Sequence, residues 1–168
     1  MGRNDGTVVM EGVRIVFRNF TGKEGMYNAE GDRNFGVLLD DKVAAKLLDD
    51  GWPVKVLKAR EEGDEPQPYL QVSVKYRGRG GVTLRPPRIV LITTRGHTNL
   101  GEDEIELLDS AEIINVDLIV RPFEWEVNGK TGIKAYLQSM YVTIEEDPLA
   151  RKYGEMEDAR RRAALGED

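Results

Sequence analysis

Cysteine is absent from the 168 residues, which excludes disulfides, thiolate nucleophiles and Cys-ligated zinc or iron–sulfur centres. Histidine occurs once, at His97, in a polar Thr-Thr-Arg-Gly-His-Thr-Asn loop that offers it no nucleophile, so it reads as a surface residue. No apolar run is long enough to span a bilayer, and Met1-Gly-Arg-Asn-Asp5 lacks the apolar core of a secretory signal; a soluble cytoplasmic protein is expected. Gly78-Arg-Gly-Gly81 lacks the Gly-Lys-[Ser/Thr] ending and following helix of a phosphate-binding P-loop. The consecutive acids Glu102-Asp103-Glu104 lack the spacing of metal ligands and read as a solvated loop. No catalytic signature survives, so an enzyme, a metal and a cofactor are not expected.

Hydrophobic residues make up 40% and charged residues 32%, the composition of a globular domain with its own core. The net charge of −6 argues against a simple polyanion binder, but the charge is unevenly placed. Residues 1–100 carry 16 basic against 13 acidic side chains, and residues 101–168 carry 8 against 17. Between Pro66 and Gly101 lie Lys75, Arg77, Arg79, Arg85, Arg88 and Arg95 with no acidic residue at all. A basic stripe therefore sits inside an acidic protein.

Thr7 to Phe17, rich in β-branched residues, reads as a first strand, followed by a glycine-rich loop from Arg18 to Arg33 and a short strand over Asn34 to Leu39. Asp40 or Asp41 can cap a helix carrying Val43, Ala44, Leu47 and Leu48, with Gly51 as its stop. Val54 to Leu57 can form a strand, and Glu61 to Pro66 is an acidic connector. Tyr69 to Arg77 alternates, with Leu70, Val72, Val74 and Tyr76 on one face and Tyr69, Gln71, Ser73, Lys75 and Arg77 on the other. Ile89 to Thr93 is a further strand, and Gly101 to Ser110 can hold a helical turn. Ile113 to Trp125 alternates again, with Ile114, Val116, Leu118 and Val120 on one face; Asn128-Gly129 signals a hairpin returning as Gly132 to Ile144. Asp147-Pro148 can open a last helix running to about Leu165. The fold class is mainly β: a five-stranded barrel of the oligonucleotide-binding (OB) type over residues 1–147, with one internal helix and a C-terminal helix or acidic tail over 148–168; a β-sandwich is the alternative.

A protein that holds single-stranded nucleic acid needs exposed rings beside Lys and Arg along one groove. Tyr69 shares a face with Lys75 and Arg77. Arg121, Phe123 and Trp125 lie opposite the apolar face of their strand, and Lys134, Tyr136 and Gln138 share a face of the partner strand. The hairpin can therefore gather Trp125, Phe123, Tyr136 and Lys134. The competing explanation is packing, since aromatic residues in strands usually serve a core.

The segments Arg33-Asn-Phe-Gly-Val37, Leu84-Arg-Pro-Pro-Arg-Ile89, Val116-Asp-Leu-Ile-Val-Arg-Pro-Phe123 and Gly132-Ile-Lys-Ala-Tyr-Leu137 resemble phage single-stranded-DNA-binding proteins of the OB fold, in the T7-like replication group. The resemblance runs from about Val8 to Tyr153. It implies a non-catalytic protein of the host cytoplasm that coats single strands in replication, recombination or repair without sequence preference. It also implies polymerase and helicase as partners of an acidic tail, although Arg160, Arg161 and Arg162 interrupt the acids here. Oligomerisation is compatible with the sequence. The DNA-binding residues expected are Tyr69, Lys75, Arg77, Arg79, Arg85, Arg88, Arg121, Phe123, Trp125, Lys134 and Tyr136. A β-rich virion part with no nucleic-acid role is the main alternative, and a duplex binder is disfavoured because no basic recognition helix is present.

Overall fold

The computed structural model describes residues 6–25, 28–29, 31–58, 63, 65–77, 85–145 and 159–165. Its strands are β1 (Val8–Val13), β2 (Ile15–Asn19), β3 (Arg33–Leu38), β4 (Val54–Leu57), β5 (Gln67–Val74), β6 (Arg88–Thr93), β7 (Gly96–Leu100), β8 (Ile113–Val127) and β9 (Lys130–Ile144). All nine belong to one sheet whose main path runs β1-β8-β9-β5-β3-β2. The path begins and ends on one length of chain, because only Arg14 separates β1 from β2.

The sheet is mainly antiparallel, but β9 runs parallel to β5 and to β6. The strand count corrects the expected five. The predicted first strand breaks in two at Arg14, and β4, β6 and β7 add to the sheet edges. β7 also corrects the reading of residues 93–99 as loop: His97 pairs with Ile92 in a hairpin, and its side chain is exposed as anticipated.

Alternation gives the central strands a core face. In β5, Pro68, Leu70, Val72 and Val74 are buried while Gln67, Tyr69, Gln71 and Ser73 are half-buried on the other side. Val116, Leu118 and Val120 of β8 join Ala135, Leu137, Met140 and Val142 of β9 in the same cluster as Phe35, Val37 and Phe20. Ile114 departs from the predicted inward face and is exposed, because the β8–β9 register shifts between Ile113 and Asn115. The hairpin turn has positive φ at both Asn128 (52°) and Gly129 (79°), the signature of the tight turn matching strand twist.

Helix α1 (Asp41–Asp49) starts where Asp40 accepts a hydrogen bond from the Val43 N–H at 2.8 Å. It buries Ala44 and Leu47, whereas Val43 and Leu48 stay exposed, so its core contact is narrower than the predicted four-residue stripe. A 3-10 helix spans Ile105–Asp109, where a helical turn was expected. Residues 159–164 are helical and exposed, while the expected helix start at Asp147 and the Gly78 to Gly81 turn lie outside the described residues. No helix among the described residues is long and apolar enough to cross a membrane.

Phe35 is fully buried and stacks on Phe20 with ring centroids 5.2 Å apart. Phe35→Ala leaves a cavity at the centre of the sheet, and a loss of about 3–5 kcal/mol is expected in urea denaturation.

Candidate nucleic-acid interface

The face of the sheet turned away from the core collects the residues that matter. In β8 the odd positions Arg121, Phe123 and Trp125 pair with Tyr136, Lys134 and Gly132 of β9. The Phe123 and Tyr136 rings stack with centroids 4.5 Å apart and planes 7° from parallel, and the Arg121 guanidinium lies 5.3 Å from the Tyr136 ring centre. Trp125 is seated on Gly132: a Cβ there would lie 2.5 Å from the indole ring, so only glycine permits this approach.

The hairpin thus gathers Phe123, Tyr136, Arg121, Lys134 and Trp125 as the alternation anticipated. It also assigns them unequal roles. Tyr136 is only 7% exposed, covered by its neighbours, whereas Phe123 is 37% exposed. Tyr136 therefore backs the platform and Phe123 presents it. Gln138 falls at the register irregularity opposite Ile119 and Val120, so it does not continue the Lys134–Tyr136 row.

The face extends across β5. Ser73 pairs with Tyr136 on one side and with Asn34 of β3 on the other, and Tyr69 stands four residues along the same face. Arg88, at the start of β6, pairs with Ser139 of β9, three residues beyond Tyr136. Arg85, Arg88 and Lys134 are exposed, and no ion pair holds any of them among the described residues. Arg79 lies outside the described residues.

The other two predicted cations are already engaged. Lys75 Nζ lies 3.3 Å from Asp32. Arg77 donates two hydrogen bonds of 3.0 Å to Glu102, whose carboxylate also accepts one of 2.8 Å from Arg33. Glu102, read as part of a solvated acidic loop, is thus the hub of an arginine pair. Its carboxyl is held below the usual carboxylate range by the hydrogen bond from Arg33 and then by that from Arg77. Arg33 is a residue that strand alternation missed. It also donates to the Phe20 carbonyl at 3.0 Å and lies 5.6 Å from the centre of the Tyr76 ring. Burial raises the Tyr76 hydroxyl pKa, outweighing the opposite pull of Arg33.

A second missed residue is Phe17. It sits at the register shift between β2 and β3 with φ of +52°, a left-handed conformation costing a non-glycine residue about 1–3 kcal/mol, and its side chain is 57% exposed. Its only sequence signal was its place at the end of a β-branched run before a long loop.

A groove of about 920 Å³ lies on the other side of the hairpin, lined by Val8, Met10, Leu47, Trp52, Pro122 and Ile133 among others. It contains none of the predicted binding residues. No cluster of three or more His, Asp or Glu suited to a metal occurs among the described residues.

A family model, the phage ssDNA-binding domain, matches residues 3–166. The chain belongs to this family. Among solved structures, the single-stranded DNA-binding protein from bacteriophage Enc34 in complex with ssDNA matches at a TM-score of 0.56 and 14% identity, covering 86% of this chain and 90% of that one. The same phage's protein in a second structure matches at 0.54 and 12%, covering 86% and 84%. These likenesses show a shared fold and agree with the expected mainly β, OB-type class. The bacteriophage T7 protein gp2.5, at a TM-score of 0.38 and 8% identity, is too distant to bear on the T7-like grouping. No curated protein matches the chain.

The Arg33–Glu102–Arg77 bridge carries its own pH signature. A carboxyl whose folded pKa is depressed contributes stability that is present above its unfolded value, about 4.3, and is lost as pH falls through the folded value. Wild type and Glu102→Gln should therefore differ in stability to urea at neutral pH by about 1 kcal/mol or less, and the difference should shrink as pH falls below the unfolded carboxyl range and through the depressed folded value. Parallel pH profiles for the two proteins would contradict a depressed Glu102.

Proposed function

We propose that this chain binds single-stranded DNA, without base preference and without catalysis, across the outer face of β8, β9 and β5. The observation that carries the reading is the Phe123–Tyr136 stack with Arg121 and exposed Lys134 around it, in a member of a phage ssDNA-binding family. Every base has a π-face, so an exposed ring supported from behind accepts any of the four, and neighbouring cations take the phosphates. Duplex DNA hides those faces. That the Enc34 protein shares the fold and has been seen in complex with ssDNA supports the same reading.

The site residues proposed are Phe123 as the presented ring and Tyr136 as its backing, with Trp125 and Tyr69 beside them on the face. Arg121, Lys134, Arg85 and Arg88 are the available cations. Arg79 remains in the proposal from the sequence alone. Lys75 and Arg77 contribute less, because a phosphate must first displace Asp32 or Glu102. The cellular role proposed is protection of exposed single strands in phage replication, recombination or repair, in the host cytoplasm. Polymerase and helicase are the proposed partners of the segment 148–168, and assembly of several copies along one strand fits such a role.

Titration with unstructured oligonucleotides, followed by tryptophan fluorescence at several salt concentrations, tests the reading. Affinity should be much higher for single strands than for duplex and should fall with salt at a log–log slope of about −0.7 per phosphate contact. Arg88→Ala and Lys134→Ala should each flatten the slope by about that amount, and Arg77→Ala by less. Phe123→Ala should leave the slope unchanged and cost about 1–3 kcal/mol of binding. Equal affinity for duplex, or binding insensitive to salt, would contradict the proposal.

A further inference from the structure

We propose that Phe17 and Tyr69 form a second base-stacking platform on the same face, so that one strand of DNA runs from Phe123 across β5 to Phe17. This inference rests on the reading of that face as a single-strand site. Phe17 and Tyr69 meet edge to face, their ring centroids 5.6 Å apart. Both stand over Gly36 in the middle of β3, where a Cβ would lie 3.2 Å from Tyr69 and 3.4 Å from Phe17. A side chain at position 36 would lift the pair off the sheet.

Covering Gly36 is the purely structural account of this pair, and it does not explain Phe17. Val16 and Tyr69 both approach the Gly36 site to 3.2 Å, closer than Phe17 does. The ring of Phe17 is 57% exposed and its backbone holds a left-handed φ of +52°, so the position bears both an exposed apolar surface and a strained backbone. The irregularity between Val16 and Asn19 is what turns two successive side chains toward one face. An aromatic held out in this way has the geometry of a platform.

The second platform is in line with the first. Ser73 of β5 is in register with Tyr136, and Tyr69 lies four residues from Ser73 on the same face, about 13 Å along the strand. Between them Gln71 accepts a hydrogen bond of 2.7 Å from Lys55 Nζ. That places an ammonium beside the path, where a phosphate between the two stacked regions would pass.

Phe17→Leu tests the idea because it keeps apolar cover over Gly36 and removes the π-face; Phe17→Tyr restores the ring. With a pyrimidine homo-oligomer, Phe17→Leu should bind about 5- to 150-fold more weakly than wild type with an unchanged salt slope, and Phe17→Tyr should bind as wild type does. On an abasic oligonucleotide of the same length, wild type and Phe17→Leu should bind alike. If Phe17→Leu does not fold, Phe17→Gly, which suits the left-handed φ, is measured in its place with the same expectation. A folded variant that binds the homo-oligomer like wild type, or loses equal affinity on the abasic strand, overturns the second platform. If Phe123→Leu weakens binding in the same assay, that failure belongs to Phe17 alone. Absence of binding by wild type would instead overturn the reading of the whole face.

Discussion

The short parallel pairing of β5 with β9 is the joint on which the architecture depends. Two register pairs define it: Val72 with Ala135, and Ser73 with Tyr136. The first is buried in the core and the second is turned outward, so one ladder seals the interior and sets the position of the aromatic stack. β9 can make this contact because it is long. Its other edge is occupied by β8 along its length, and its remaining stretch pairs with β6. Slipping the β5–β9 register by one residue would exchange the two faces, placing Tyr136 inside and Ala135 outside. Core burial thus enforces the register that the outer face needs.

An acidic protein that holds a polyanion must solve its electrostatics locally. The net charge of −6 disfavours approach at long range, but at moderate ionic strength charges more than about 8–10 Å apart are largely screened. What counts is the sign of the groups within reach of a phosphate. Around the Phe123–Tyr136 stack these are Arg121, Lys134 and Arg88, whereas toward the end of β5 the cations are already matched by Asp32 and Glu102. The basic stripe from Lys75 to Arg95 is therefore two different things in space. Arg85 and Arg88 are exposed with no ion pair among the described residues, whereas Lys75 is paired with Asp32, and Arg77 shares Glu102 with Arg33, which ties β3 and the segment after β5 to the loop before the 3-10 helix.

Much of this was legible in the sequence because alternation is a local rule. The face of β5, that of β8 from Val116 onward and the shared face of Lys134 and Tyr136 in β9 followed from side-chain type alone, as did the hairpin at Asn128-Gly129 and a cap at Asp40 or its neighbour Asp41. What escaped depends on non-local contact. Glu102 looks like one of three solvated acids until the fold brings Arg33 and Arg77 to it from 69 and 25 residues away. Tyr136 and Phe123 look equivalent until stacking buries one beneath the other. The nine-strand count was missed because the chain changes partner at Arg14, from β8 to β3, within a run that reads as one strand, and because β7 is built from polar residues with no alternation to announce it.

Phe17 escaped for a different reason, and the reason bears on how such a face is maintained. Local preference at position 17 favours an extended residue, so the run from Val13 looks like uninterrupted strand. The observed left-handed φ at an aromatic residue opposes that preference and must be held in place by its surroundings. Those surroundings are Gly36 and Tyr69, which come from β3 and β5 and are joined in the same ladder that leads to Ser73 and Tyr136. A ring left partly open to solvent runs against the tendency of apolar surface to bury itself, and on this face each such ring lies against a fixed neighbour: Trp125 on Gly132, Phe123 on Tyr136, and Tyr69 and Phe17 over Gly36. Gly132 and Gly36 leave room for those rings, because a Cβ would lie 2.5 Å from Trp125 at the one position and 3.2 Å from Tyr69 at the other.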